Sequence, residues 1–392
     1  MTVTVRGMTG VWADVVGQQN AVTTLQRAVA GDRHAMTHAW LVTGPPGSGR
    51  SNVARAFAAA LQCERGGCGE CQACRTALSG AHPDVTLVRT EKLSIGVDEV
   101  RDLVRRASMS PTLGRHQVLV MEDADRVTDR GADALLKSIE EPAPKTVWLL
   151  CAPTPDDVVT TIRSRCRALG LSTPPVGAVA DLLTRRDGVD PAMAMNAARA
   201  AQGHIGRARV LALHEDARDR RRDVLQIPRR LTGSAACLTA AQKLVDACAA
   251  EAKAATEALD AAEREELGEA LGFGTKGAKP KQARAAMKEL EDEQKVRAKR
   301  MQRDALDRAL TELTTYYRDV VTLQLTGEQD RLVNPEIAGE LWEQARGTTP
   351  EASLRRIDAL LQCREELEGN VAPLLAVEAL LIKLMKGWSH GG

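Results

Sequence analysis

Between residues 11 and 170 the chain alternates short apolar runs with longer stretches whose apolar residues recur at helical spacing. The runs are Ala39–Thr43 (AWLVT), Val85–Val88, 118–121 and 147–152. Between them lie an alanine-rich stretch at 51–61 and amphipathic stretches over Val97–Ala107 and 130–139. Runs that are apolar throughout suit strands buried on both faces, so the alternation predicts an α/β domain built on a mainly parallel sheet. After Ser172-Thr173-Pro174-Pro175 the strand pattern stops. Residues 176–212 read as short helices broken at Gly188 and at 203–206, and from 215 onward the pattern is helical almost throughout. A glycine- and proline-rich interruption at 272–280 does not fit a helix interior. It separates two charged arms, together spanning 251–304, which read as a solvated helical hairpin with i,i+4 charge pairs.

The pattern predicts three parts: an α/β domain over 11–172, a small helical domain over 173–225 and an all-α domain over 226–392 carrying the hairpin. A length of 392 residues agrees with two or three domains, and 44% hydrophobic residues suffice for several cores. Composition then removes some function classes. With 53 basic against 52 acidic side chains the net charge is +1, which argues against nucleic-acid binding by bulk charge. Aromatics at 2% leave few rings for base stacking. No run approaches a membrane span, and the first ten residues lack a secretory apolar core, so the expectation is a cytoplasmic protein without membrane contact.

Candidate chemistry sits in three places. The segment Gly44-Pro-Pro-Gly-Ser-Gly-Arg-Ser51 fits the phosphate-loop pattern G-x-x-x-x-G-K-[ST] with Arg50 in the lysine position. Gly44, Gly47 and Gly49 allow backbone N–H groups to turn inward as an anion nest, and the hydroxyl of Ser51 suits Mg²⁺. The alternative is an ordinary glycine-rich turn between strand and helix. Arg50 is bulkier than an ammonium and lacks its compact charge, so the expected site holds ATP with Mg²⁺ and hydrolyses it poorly. The run at 118–121 ends in Glu122 and Asp123, where a strand end would place one acid near the metal and the next near an attacking water. The expected order of these acids is reversed, which predicts a weakened site, and solvated strand-end acids are the bland alternative.

The third place is a cysteine cluster. Four of the nine cysteines, Cys63, Cys68, Cys71 and Cys74, follow the spacing C-x₄-C-x₂-C-x₂-C. Four thiolates from one compact loop match tetrahedral zinc in a closed, structural site. An iron–sulfur cluster is the rival, although the fourth cysteine and proline of a ferredoxin run are missing after Cys74. The other five cysteines are scattered singly and read as small buried hydrophobes in a reducing compartment.

Taken together, Trp12-Ala-Asp-Val-Val-Gly-Gln18, the phosphate loop, Glu122-Asp123-Ala124-Asp125-Arg126 and Thr161-Ile-Arg-Ser-Arg-Cys166 resemble bacterial replicative clamp-loader subunits of the AAA+ class. The resemblance covers residues 11–210 by motif and the helical remainder by architecture alone. It implies a P-loop domain with the cysteine module inserted after the loop helix, a helical lid and a C-terminal collar. It also implies that Arg165 reaches across a subunit interface as an arginine finger for a neighbour's ATP site. Implied partners are gamma/tau and delta clamp-loader subunits, the sliding clamp indirectly and primer–template DNA through the complex. Arg50, the reversed acids, Pro153 at a sensor position and Gly206 at a lid-arginine position all point to a subunit whose own ATPase is very weak or absent. A self-sufficient AAA+ ATPase and a nucleotide-independent zinc adaptor are the alternative readings.

Overall fold

The structure, a computed structural model, describes residues 8–32, 35–90, 94–271 and 281–386. The 272–280 interruption and most of the N-terminal decapeptide lie outside the described residues. The chain divides into two compact units, with the boundary between Leu213 and His214.

In the first unit the elements run α1 (Gln19–Val29), β1 (Ala39–Thr43), α2 (Arg50–Gln62), α3 (Gln72–Ser79), β2 (Val85–Val88), α4 (Val97–Ala107) and β3 (Gln117–Met121). They continue with α5 (Asp129–Glu140), β4 (Thr146–Ala152), α6 (Thr160–Arg163), β5 (Arg167–Gly170), α7 (Val176–Asp187), α8 (Pro191–Ala200) and α9 (Ile205–Leu213). The strands form one sheet in the order β2-β3-β4-β1-β5, and every pairing is parallel. Strands β1, β3 and β4 are buried along their whole length. Successive side chains enter opposite layers. Trp40 and Val42 join one core with Val118, Val120, Val147 and Leu149, while Ala39 and Leu41 join the other with Leu119, Met121, Trp148 and Leu150. This is why these runs are apolar throughout rather than alternating.

The fold class expected from the sequence is the one observed, with one addition. Strand β5 has no apolar run, because on this edge strand only Leu169 is buried. Its register against β1 (Val42 beside Leu169) supplies what its composition does not. Helices α7, α8 and α9 pack on their own small core of Val179, Leu182, Leu183, Ala194, Ala198, Ile205 and Ala208.

The second unit is helical: α10 (Glu215–Leu225), α11 (Ile227–Arg230), α12 (Ser234–Ala270), α13 (Lys281–Thr326), α14 (Ala338–Gly347), α15 (Pro350–Glu368) and α16 (Pro373–Lys386). Buried Leu306, Leu310, Leu313, Tyr317 and Val320 repeat at alternating four- and three-residue steps along α13 and form the seam of the core. One sequence expectation needs adjustment. The hairpin charges pair between the helices as well as along them: Arg297 on α13 reaches Asp260 at 2.9 Å and Glu263 at 2.7 Å on α12, and Arg297 is largely buried. On α16, Ala376, Val377, Leu380 and Leu381 are buried in this unit's own core, while Leu375 is exposed.

Candidate functional site

The cysteine cluster forms where α2 ends. Cys63 leaves the helix in an extended conformation, the chain turns through Gly66, Gly67 and Gly69, and Cys71 caps the start of α3 by accepting from the Cys74 N–H at 3.4 Å. Gly67 has φ +107°, and a Cβ there would press on Val11 and Ala60, while its carbonyl accepts from the Val11 N–H at 3.0 Å. The loop is thus pinned to the turn Gly10–Trp12. All four sulfurs lie within 4.8 Å of one another, with Cys63–Cys68 at 3.7 Å, Cys63–Cys71 at 3.8 Å and Cys68–Cys74 at 4.0 Å.

Sulfurs at the corners of a tetrahedron with about 2.3 Å bonds to a central zinc would stand about 3.8 Å apart, so the cluster could hold such an ion. The donor chemistry fits as well. Backbone N–H groups of Cys68 and Cys71 donate to the sulfurs of Cys63 and Cys68, both at 3.4 Å, and Arg65 donates to Cys68 at 3.1 Å. Burial opposes ionisation of Cys63, but N–H groups of Cys68, Gly67 and Arg65 outweigh it and lower its pKa to about 6. Burial pushes the Cys74 thiol up. A cation at the centre is what would let all four ionise together.

The phosphate loop has the expected backbone and unexpected occupants. Gly44, Gly47 and Gly49 all have positive φ, and the loop leads directly into α2. Gln18 braces it, donating to the carbonyls of Ser48 at 3.2 Å and Ser172 at 2.6 Å. The guanidinium of Arg50, however, turns back and donates to the carbonyl of Gly44. His204, in the turn before α9, lies so close to Gly47 that a Cβ at position 47 would overlap its ring. The Ile205 N–H donates to the Gly47 carbonyl at 3.3 Å, which fastens the same turn to the loop. Burial, with Arg207 and Arg50 nearby, holds the His204 imidazole below its ordinary pKa, so the ring covering Gly47 is neutral near pH 7.

The acids beside the loop are also engaged. Arg55 on α2 donates twice to one carboxylate oxygen of Glu122, from Nε at 2.9 Å and Nη2 at 2.7 Å. Asp123 stands 3.9 Å from Arg126. Pro153, at the end of β4, offers its carbonyl to the Gly44 N–H at 3.1 Å. The structure therefore gathers Gly44, Gly47, Gly49, Arg50, Ser51, Glu122 and Asp123 beyond the carboxyl ends of β1 and β3, the two strands that flank β4, the usual ligand position in a parallel α/β sheet. It also fills much of that position with the chain's own side chains.

Arg165 lies apart, in the turn between α6 and β5, and is half-exposed. Its Nη1 donates to the Thr161 carbonyl at 2.7 Å and to the Ser164 hydroxyl at 3.3 Å, and its Nη2 lies 2.5 Å from Glu140 Oε1. Three residues central to this geometry have no motif of their own. His204 falls inside the glycine break at 203–206, Arg55 lies four residues beyond Ser51 on α2, and Glu140 ends α5 far from Arg165 in sequence. Only the helical offset of Arg55 from the loop was available as a signal.

Parts of the chain are similar to known proteins. A profile of the family described as DNA polymerase III, delta subunit, matches residues 17–175. The DNA polymerase III subunit delta' of Pseudomonas aeruginosa is 38% identical over 179 residues, 44% of this chain and 55% of that protein. Its Escherichia coli counterpart is 33% identical over 44% of this chain and 54% of its own. The gamma/tau subunit of Mycobacterium tuberculosis is 36% identical over 39% of this chain and 27% of its own. The matched region thus spans about half the length of the delta' relatives. Among solved structures, the Thermotoga maritima RuvB Holliday junction branch migration motor aligns with 54% of this chain and 64% of its own, at 19% identity and a TM-score of 0.38, too distant to carry an argument. Residues 17–175 thus match the family described as DNA polymerase III, delta subunit, and the chain is similar over less than half its length to proteins named as delta' and gamma/tau subunits.

Proposed function

We propose that this chain is the delta' subunit of a DNA polymerase III clamp loader, a cytoplasmic scaffold that lends Arg165 to the ATP site of an adjoining subunit. The observation that carries the reading is the contrast between a half-exposed Arg165 and a phosphate loop covered by Arg50 and His204. A guanidinium is always charged and donates in a planar fork, which suits the charge spread over a phosphoryl group in transfer. In this role the gamma/tau and delta subunits are direct partners, while the sliding clamp and primer–template DNA are met through the assembled complex. The cysteine cluster serves as a structural Zn²⁺ site held by Cys63, Cys68, Cys71 and Cys74, and its closed shell leaves no position for a reacting water. The 173–225 region acts as a lid and 226–392 as a collar. Gly44, Gly47, Gly49, Arg50, Ser51, Glu122 and Asp123 form a degenerate nucleotide site at which ATP with Mg²⁺ is hydrolysed very slowly, if it enters at all.

A self-sufficient ATPase is the second reading, favoured by the complete glycine pattern and the gamma/tau relatives. The experiment that separates the two is the clamp- and primer-stimulated ATPase of a complex reconstituted with Arg165→Ala. Removing a trans arginine slows one site by about 10³-fold or more, so the complex should lose the share of turnover carried by that site. The isolated chain's turnover should stay low and unchanged. A fully active mutant complex, with assembly confirmed, would overturn the trans role, and rapid turnover by the isolated wild-type chain would establish the second reading.

A further inference from the structure

We propose that Glu140 masks Arg165, holding its guanidinium against this chain's own α5 until a neighbour's nucleotide phosphate displaces the carboxylate. The inference rests on the reading of Arg165 as a trans-acting arginine and assigns that arginine a regulator. Arg165 does not project freely. Its Nη2 stands 2.5 Å from Glu140 Oε1, and its Nη1 donates to the Thr161 carbonyl at 2.7 Å and the Ser164 hydroxyl at 3.3 Å. Both Nη groups, the pair that would grip a phosphate end-on, are therefore engaged within the chain.

The three partners hold with different strength. The Thr161 carbonyl and Ser164 hydroxyl are neutral and close in sequence, so they orient the side chain without cancelling its charge. Glu140 cancels it. It is the last residue of α5, whereas Thr161 and Ser164 belong to the α6 turn, so the ion pair joins two separate elements. The side chains are 39% and 44% exposed, and solvent at that level of exposure leaves a pair worth a factor of about two to five in an equilibrium. A nucleotide phosphate bears more charge than a carboxylate and accepts two parallel N–H bonds, so it outcompetes a partner held this weakly. A paired Arg165 also presents less net charge to wrong anions before a neighbour docks. Glu140 is thus a positioning residue whose loss releases the arginine early.

The test uses the full chain in the reconstituted complex. Glu140→Gln keeps the shape and removes the charge. It should raise ATP turnover in the absence of clamp and primer about twofold, diluted by the other subunit interfaces, and change the stimulated rate less. Glu140→Ala, which removes the acceptor, should move the basal rate in the same direction at least as far. In an Arg165→Ala background neither substitution should have any effect, which a merely structural role for Glu140 would not produce. The mask is overturned if Glu140→Gln leaves the basal rate unchanged or lowers it, or if it acts equally in both backgrounds. A complex with Arg165→Ala alone that hydrolyses ATP like wild type overturns the trans-arginine reading itself, an outcome distinct from failure of Glu140→Gln in a complex that does need Arg165.

Discussion

The cysteine cluster and the phosphate loop begin from equally clear sequence signals, flank the same helix α2, and reach opposite ends. At the cluster, four chemically identical donors converge with every sulfur within 4.8 Å of the others. At the loop, the glycines adopt the required conformations, yet Arg50 donates to the loop's own Gly44 carbonyl and His204 covers Gly47. A motif made of ligands fixes the chemistry of its site, because the motif residues are themselves the contacts. A motif made of glycines fixes only a path of backbone. What fills the hollow it makes is decided by other side chains, here Arg50 in the motif's own lysine position and His204 from the turn before α9.

The sharpest way to break this comparison is to remove one ligand from the complete site. Cys71→Ser should abolish stoichiometric metal, measured by elemental analysis of the purified protein. It should also lower the stability of the first unit by about 4 kcal/mol, or roughly 10 °C in its melting temperature. The second unit should melt where it did before. Metal-free protein melting like wild type would show that the sulfurs need no ion to stay together.

A smaller effect is expected from reopening the filled site. Arg50→Lys combined with His204→Ala restores a compact charge and uncovers Gly47, and should tighten ATP binding about tenfold by calorimetry, equivalent to roughly 1.4 kcal/mol. Turnover should remain low, because Glu122 is still held by Arg55 and Pro153, just after β4, offers no side-chain donor. Arg50→Lys alone should likewise not create a fast enzyme. Affinity unchanged in the double variant would mean that neither side chain keeps nucleotide out.

A further effect concerns pH. Burial holds His82, His116 and His204, all in the first unit, below their ordinary value of 6.5. Each is neutral in the folded state under conditions where the unfolded chain would already be protonated. The stability they contribute is therefore complete above pH 6.5 and is lost as pH falls from there through their folded values. In the second unit burial raises Asp319, a shift of opposite sign whose loss of stability comes as pH rises above its ordinary 3.8. Thermal melts between pH 7.5 and 5.5 should show the first unit weakening, by at most about 1.4 kcal/mol per histidine at pH 5.5, and the second holding steady. Parallel loss in both units would contradict this division.

By itself the sequence determined the sheet's inner strands, the helices between them, the cysteine ligands and the bend of the phosphate loop. Each of these follows from a local pattern: period and burial for strands and helices, spacing for thiolates, backbone freedom for glycines. Strand β5 escaped because an edge strand with one buried residue carries no apolar run, and its place comes from register with β1. The hairpin's charges were legible as charges but not in their pairing, since Arg297 finds Asp260 and Glu263 on a different helix. The tertiary structure alone decided that Arg55 would take Glu122, that His204 would cover Gly47 and that Glu140 would meet Arg165. These are contacts between residues 67, 157 and 25 positions apart, and no periodicity or spacing along a chain encodes which distant group a side chain will meet. Packing sets that choice, because once the cores have placed the helices a buried or half-buried charge must take the partner that lies within reach.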